Sequence, residues 1–466
     1  MGSAPATHGR GIRVAAVIGL LLTAFLVVAP AAQTRGGLPT DGVETRSRGG
    51  LGPTYAGFEA AGDWVGTWMA AQQLVEPGNL PPAPGFSDTT LRQVVHVSIG
   101  GRTLRVRFSN EFGRAPLTVV SARIARSAGG SAIDAATDRA LTFNGRSAAV
   151  IPEGAALVSD SLEFEVSPLS NLAVTVYVRG APPDVTGHPG SRTTSYLQAG
   201  NAASAPALPD AVPVDHWYFL SSVEVRTPRT AGAVVILGDS ITDGRGSTTN
   251  GNDRWPDALA RRLQAAPATA EVAMLNAGIG GNRLLRDGLG PNALARFDRD
   301  VLAQAGVRWL IVLEGINDIG TAAGARAKGE PAATADDIIG ACTQIIDRAR
   351  AHGIRVYGAT IMPFEGFTYA GYFTPDSEAE RLKVNEWIRT SRRFDAVIDF
   401  DAITRDPERP SRLSAAVDGG DHLHPSAAGY RIMADAINLT LFAPPERDAL
   451  RSGARADDTV KLRQRE

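Results

Sequence analysis

Ala233-Val-Val-Ile-Leu-Gly-Asp-Ser-Ile-Thr-Asp-Gly244 joins an apolar run to a break and a serine. Val234, Val235, Ile236 and Leu237 are β-branched in three of four positions, which predicts a buried parallel strand, and Gly238 ends it. Ser240 is thereby delivered at the carboxyl end of a strand, where open α/β sheets place their ligands. A serine in that place can equally cap a helix, so this stretch alone leaves its role open. Three later stretches bear on it: Asn276-Ala-Gly-Ile-Gly-Gly-Asn282, Gly315-Ile-Asn-Asp318 and Asp421-His-Leu-His-Pro425.

Downstream of this strand the hydrophobic period predicts helices at 255–263, 293–305, 335–352, 377–391 and 426–441. They alternate with strands at 272–275, 309–313, 355–360 and 397–399, and such alternation predicts α/β architecture, a parallel sheet flanked by helices. Upstream, from Asp63 to about Arg226, the pattern is of short alternating runs such as Leu104-Arg-Val-Arg-Phe108 and Leu162-Glu-Phe-Glu-Val166. Turns at Gly100-Gly101 and Asn144-Gly145 separate several of them, which predicts an all-β sandwich or jelly roll. At the amino terminus, Arg10 and Arg13 precede an apolar run over 14–29 and a small-residue site, Ala29-Pro-Ala31, as in a secretory signal peptide. The alternative is an uncleaved membrane anchor, for which the run is slightly short. The expected organisation is a signal peptide at 1–32, a linker at 33–57, a β-sandwich at 58–227, the α/β domain at 228–443 and a charged tail at 444–466.

The 466 residues exceed one ordinary domain, and 44% hydrophobic with 21% charged residues is the balance of a soluble globular protein. A net charge of -2 gives no pull toward nucleic acid or an anionic membrane, so neither is an expected partner. The single cysteine, Cys342, rules out an intramolecular disulfide. It falls in the helical pattern Ile338, Ile339, Cys342, Ile345, Ile346, which reads as core. The seven histidines lack zinc-ligand spacing, and neither a metal nor a cofactor is expected.

A serine hydroxyl is a poor nucleophile unless a base takes its proton, and the base needs a third group to hold its tautomer. Asp421 and His424, three residues apart, can supply both on one tight turn. His422 is the rival base, or a surface or supporting residue. Acyl transfer further needs donors aimed at a developing oxyanion. Gly281 lets a backbone N–H approach closely, with Gly280 as its rival in register, and Asn317 offers a side-chain amide; a plain turn and an Asx-turn or helix cap are the other readings.

With these four blocks in order, the chain resembles the SGNH hydrolases, the GDSL lipase/esterase family. Gly238-Asp-Ser-Ile241 matches the first block with Ile in place of Leu, Gly281 the second, Gly315-Ile-Asn-Asp318 the third and Asp421-His-Leu-His424 the last. The resemblance covers roughly residues 228–443 and implies Ser240 as nucleophile, His424 as base and Asp421 as its orienter. It implies an oxyanion hole from the N–H groups of Ser240 and Gly281 with the Asn317 amide. The β domain opening on Trp64-Val-Gly-Thr-Trp68 extends the likeness to the XynE-like branch of secreted bacterial esterases. Unlike the α/β-hydrolase elbow G-x-S-x-G, the position two after Ser240 is Thr242.

These features lead to an expected secreted serine esterase acting on short acyl groups, acetyl first, of a carbohydrate or aryl alcohol, with an acetylated polysaccharide among its substrates and no stable membrane association once the signal is removed. Lipase or thioesterase activity on longer chains is the alternative, and an inactive carbohydrate-binding protein a third reading. The loop at 362–375 carries Phe364, Phe367, Tyr369, Tyr372 and Phe373. Phe364, Tyr369 and Tyr372 are its candidate substrate-stacking rings, the other reading being that they anchor the loop. His188, in Thr186-Gly-His-Pro-Gly-Ser191, reads as part of a surface turn, with a reach to the active site as the other possibility.

Overall fold

The computed structural model describes residues 63–443. The segments expected as signal peptide (1–32), linker (33–57) and charged tail (444–466) lie outside the described residues.

The β-rich half is built from β1 (Asp63–Met69), β2 (Thr89–His96), β3 (Gly101–Ser109), β4 (Leu117–Gly129), β5 (Leu162–Val166), β6 (Asn171–Gly180), β7 (Thr186–His188), β8 (Ser195–Ala199) and β9 (Leu220–Thr227), with shorter strands between them. One antiparallel sheet runs β1-β9-β3-β5 and a second runs β8-β2-β6-β4. The alternation on β3 explains its place: Leu104, Val106 and Phe108 are buried, while Arg105 and Arg107 on the other face both bind Glu224 of β9. Phe108 meets Phe143 edge-on at 6.0 Å, and Phe143 lies just beyond the strand Arg139–Leu141 that pairs with β4. The contact joins residues from the two sheets in one core. The short β7 pairs on one side with Gln73–Leu74 and on the other with Trp217–Tyr218.

The α/β half is a parallel sheet in the order β11 (Val272–Gly278), β10 (Gly232–Gly238), β12 (Val307–Leu313), β13 (Arg355–Ala359) and β14 (Ala396–Ile398). β10 is buried at every position, as a strand covered on both faces must be. Around the sheet lie α1 (Ser240–Asp243), α2 (Trp255–Ala265), α3 (Ala293–Phe297), α4 (Ile316–Ala327), α5 (Ala335–Ala351), α6 (Pro375–Thr390), α7 (Phe400–Thr404) and α8 (Ala427–Asp435). Cys342 is buried on α5, and burial pushes its thiol up to about 12, as befits an inert core residue.

Several helices differ from the periodicity, and α1 and α7 are turns of four and five residues, too short to show one. The run expected as one helix over 293–305 is α3 followed by a π turn at Asp298–Leu302. The widened turn brings Arg296 and Arg299 onto the same carboxylate, Asp300. α4 was not anticipated, because Gly320, Thr321 and Gly324 interrupt its apolar stripe. The last helix stops at Asp435, and Asn438 caps a separate 3-10 turn at Leu439–Phe442.

The two halves share one hydrophobic core. β11 is an edge strand of the parallel sheet, and the β-rich half covers it: Met274 N–H donates to Ser98 Oγ at 3.0 Å. Gly66 N–H donates to Ala305 carbonyl O, and Arg299 binds both the Gln72 carbonyl and Glu111.

Candidate active site

Register assembles the site. Gly238 at the end of β10 is level with Gly278 of β11 and Leu313 of β12, so three connections leave the sheet together at its carboxyl edge. They carry Ser240, Gly281 and Asn317.

Ser240 opens α1, a single helical turn capped by Asp239, whose carboxylate accepts from Ile241 N–H at 2.9 Å. The turn sits hard against β11: a Cβ on Gly278 would come 2.4 Å from Asp243 N, so only glycine fits there. Ser240 Oγ lies 2.8 Å from His424 Nε2, and His424 Nδ1 lies 2.6 Å from Asp421 Oδ2. The other Asp421 oxygen accepts the N–H groups of Leu423 and His424, which orients the carboxylate on its own turn. Burial would raise the Asp421 carboxyl, but the hydrogen bonds from the His424 ring and backbone outweigh it and hold the group well below the usual carboxylate range. Such a line can take a proton from the hydroxyl and stabilise the imidazolium that forms. His422 turns away, with φ at 65°, and pairs with Asp418 instead. Ser426 caps the helix that follows.

Donors converge on the same edge. Among the described residues, the N–H groups of Ser240, Gly280 and Gly281 have no protein acceptor. Of the two glycines only Gly281 has a positive φ, 70°, which a side chain would strain. Asn317 lies in the first turn of α4 and not in a loop. Its Nδ2 donates to Asn282 carbonyl O at 2.8 Å, which commits one of its two N–H bonds and leaves the other.

The aromatic loop requires a correction. Phe364 is 0% exposed and Tyr372 5%, so neither ring forms a platform for substrate. They pack edge-on against each other and belong to the core. Tyr372 instead donates its hydroxyl to Asn317 Oδ1 at 2.8 Å, and burial pushes its phenol well above its ordinary value, which keeps it a donor. Tyr369 alone of the three candidates stands in solvent, at 68% exposure. The ring that meets the candidate base edge-on is Phe367, 6.2 Å from His424 between centroids.

Residues 236–432 match the GDSL-like Lipase/Acylhydrolase family. The α/β half belongs to that family. It is therefore a serine esterase domain of the GDSL/SGNH type, and its parallel sheet is the GDSL one. Similar solved structures include a GDSL-like lipase from Bacteroides thetaiotaomicron, 20% identical, covering 45% of this chain and 87% of that one with a TM-score of 0.34. Others are a protein of the G-D-S-L family from Desulfitobacterium hafniense (20% identical, 44% and 96% covered, TM-score 0.33) and an acetyl xylan esterase from Geobacillus stearothermophilus (22%, 44% and 94%, 0.35). No curated protein matches the sequence.

Beneath the GDSL site lies a buried polar hub that sequence reasoning missed. Arg296 donates to the carbonyls of Gly238 and Ala277 and to Asn282 Oδ1, and it pairs with Asp300 and Glu314. One guanidinium thus ties together the ends of β10, β11 and β12. Its signal was available: Arg296 shares a helical face with Ala293 and Phe297, both buried. Asp318 accepts the N–H groups of Leu284 and Leu285 and anchors the chain just beyond Gly281. Burial pushes the Asp239 carboxyl up to about 7 and that of Asp318 up to about 6.

Proposed function

We propose that Ser240 is the nucleophile, His424 the general base and Asp421 its orienter in an esterase that removes short acyl groups, acetyl first, from a carbohydrate or aryl alcohol. The carrying observation is the unbroken line Ser240 Oγ, His424 Nε2, His424 Nδ1, Asp421 Oδ2, with contacts of 2.8 and 2.6 Å. In this reading His424 takes the hydroxyl proton as Ser240 Oγ attacks the ester carbonyl. The oxyanion forms against the N–H groups of Ser240 and Gly281 and the free N–H of the Asn317 amide. His424⁺ then returns the proton to the leaving alcohol, and water, activated by the same base, releases the acid from the acyl-enzyme.

The short-acyl reading is supported by the 362–375 loop, whose rings Phe364 and Tyr372 are spent on anchoring while Phe367 flanks the base. Tyr369 remains for a sugar or aryl ring. Secretion and membership of the XynE-like branch belong to the same proposal and rest on the amino-terminal run and on Trp64-Val-Gly-Thr-Trp68.

A series of p-nitrophenyl esters from acetate to palmitate, run beside acetate release from acetylated xylan, tests the substrate. The expected profile falls steeply beyond short chains and includes release from xylan. A maximum at long chains would replace this reading with a lipase, and small-ester turnover without release from xylan would remove the polysaccharide.

A further inference from the structure

The β-rich half reaches into the turn that carries Ser240. His188, the last residue of β7, is 3% exposed, and its Nε2 lies 2.8 Å from Oδ1 of Asp243, itself 2% exposed. The sequence read this histidine as part of a surface turn; it is a buried link between the halves. Its Nδ1 lies 2.8 Å from the Ala71 carbonyl, and its ring packs on Trp217 at 5.8 Å. A carbonyl and a carboxylate are both acceptors, so each ring nitrogen of His188 faces an acceptor.

Asp243 ends the turn that Ser240 begins. A Cβ on Gly190 would stand 1.8 Å from its Oδ2, and one on Gly280 would stand 3.6 Å away, so the carboxylate is wedged between the β7 loop and the glycines beyond β11. Oδ2 is shielded from solvent and unpartnered, and among the described residues the His188 ring is the one hydrogen-bond partner of this side chain. A single helical turn has little stability of its own, so α1 takes its orientation from such anchors.

We propose that His188 is a positioning residue for the esterase: through Asp243, the β-rich half holds the Ser240 turn in register with His424 and the oxyanion donors. This rests on Ser240 being the nucleophile. The β-rich half is then part of the machinery and more than an appended module.

The test uses the full chain, with the rate of Ser240 labelling by a fluorophosphonate read beside kcat and KM for p-nitrophenyl acetate. His188→Ala, assayed where circular dichroism shows it folded, should lose about 10- to 100-fold in labelling rate and in kcat together, with KM changed by less than about two-fold. Asp243→Ala, which leaves no buried charge behind, carries the same expectation should His188→Ala fail to fold. Asp243→Asn keeps the link, because a neutral His188 donating at Nδ1 accepts the new amide N–H at Nε2; it should stay within about three-fold of the unmodified protein. Labelling at the unmodified rate in folded His188→Ala or Asp243→Ala, or equal losses in Asp243→Asn and Asp243→Ala, would overturn the proposal while leaving the esterase in place. Failure of the unmodified protein to label at Ser240 would instead remove the nucleophile on which it rests.

Discussion

Tyr372 holds Asn317 from behind: its hydroxyl donates to Oδ1 at 2.8 Å, while Nδ2 on the other side donates to Asn282 carbonyl O at 2.8 Å. A donor on one side and an acceptor on the other fix which way the amide faces. Tyr372→Phe removes the lock and keeps the ring packing. One such bond is worth about 1 kcal/mol net, so kcat should fall about five-fold with KM unmoved. A change confined to KM would show that Tyr372 acts on substrate binding.

Asn317→Ala removes the amide itself. If its free N–H meets the oxyanion only in the transition state, kcat should fall by about 10² to 10³ with little change in KM. Steady-state kinetics on p-nitrophenyl acetate measures it, and a loss of KM alone would make Asn317 a ground-state contact.

His424→Ala should abolish turnover and His422→Ala should not, since only His424 reaches Ser240 Oγ while His422 is engaged with Asp418. The reverse outcome would move the base to His422 and break the pairing with Asp421.

Asp239 and Asp318 make stability depend on pH in a stated direction. The unfolded chain releases these protons near the ordinary 3.8, and the folded protein only near about 7 and about 6. Between those values the folded state binds more protons, so this contribution to stability falls as pH rises from about 4 to about 7 and is flat above. Asp239→Asn can still cap Ile241 N–H but no longer titrates. The drop in Tm between about pH 5 and about pH 8 should therefore shrink in the variant, and an unchanged drop would clear Asp239 of that role.

What the sequence made legible followed from local periodicity and spacing. The run at 234–237 had to be a covered parallel strand, and Asp421 with His424 could share a turn because three residues is the reach of one. The β-rich half showed itself through alternation such as Leu104, Val106, Phe108. What stayed hidden depended on tertiary neighbours. Nothing local tells that Tyr372 turns inward toward Asn317 or that His188 crosses to Asp243, since loops carry no period that assigns a face. α4 was missed for the opposite reason: Gly320 leaves room for the Tyr372 ring, and a glycine selected for close packing reads locally as a break.

The most direct test of the account is the identity of the nucleophile. After reaction with a fluorophosphonate, peptide mass spectrometry should place the adduct on Ser240, and Ser240→Ala should fold normally, take up no label and retain less than about one part in a hundred of the turnover. An adduct on another serine, or turnover above that level in folded Ser240→Ala, would contradict it.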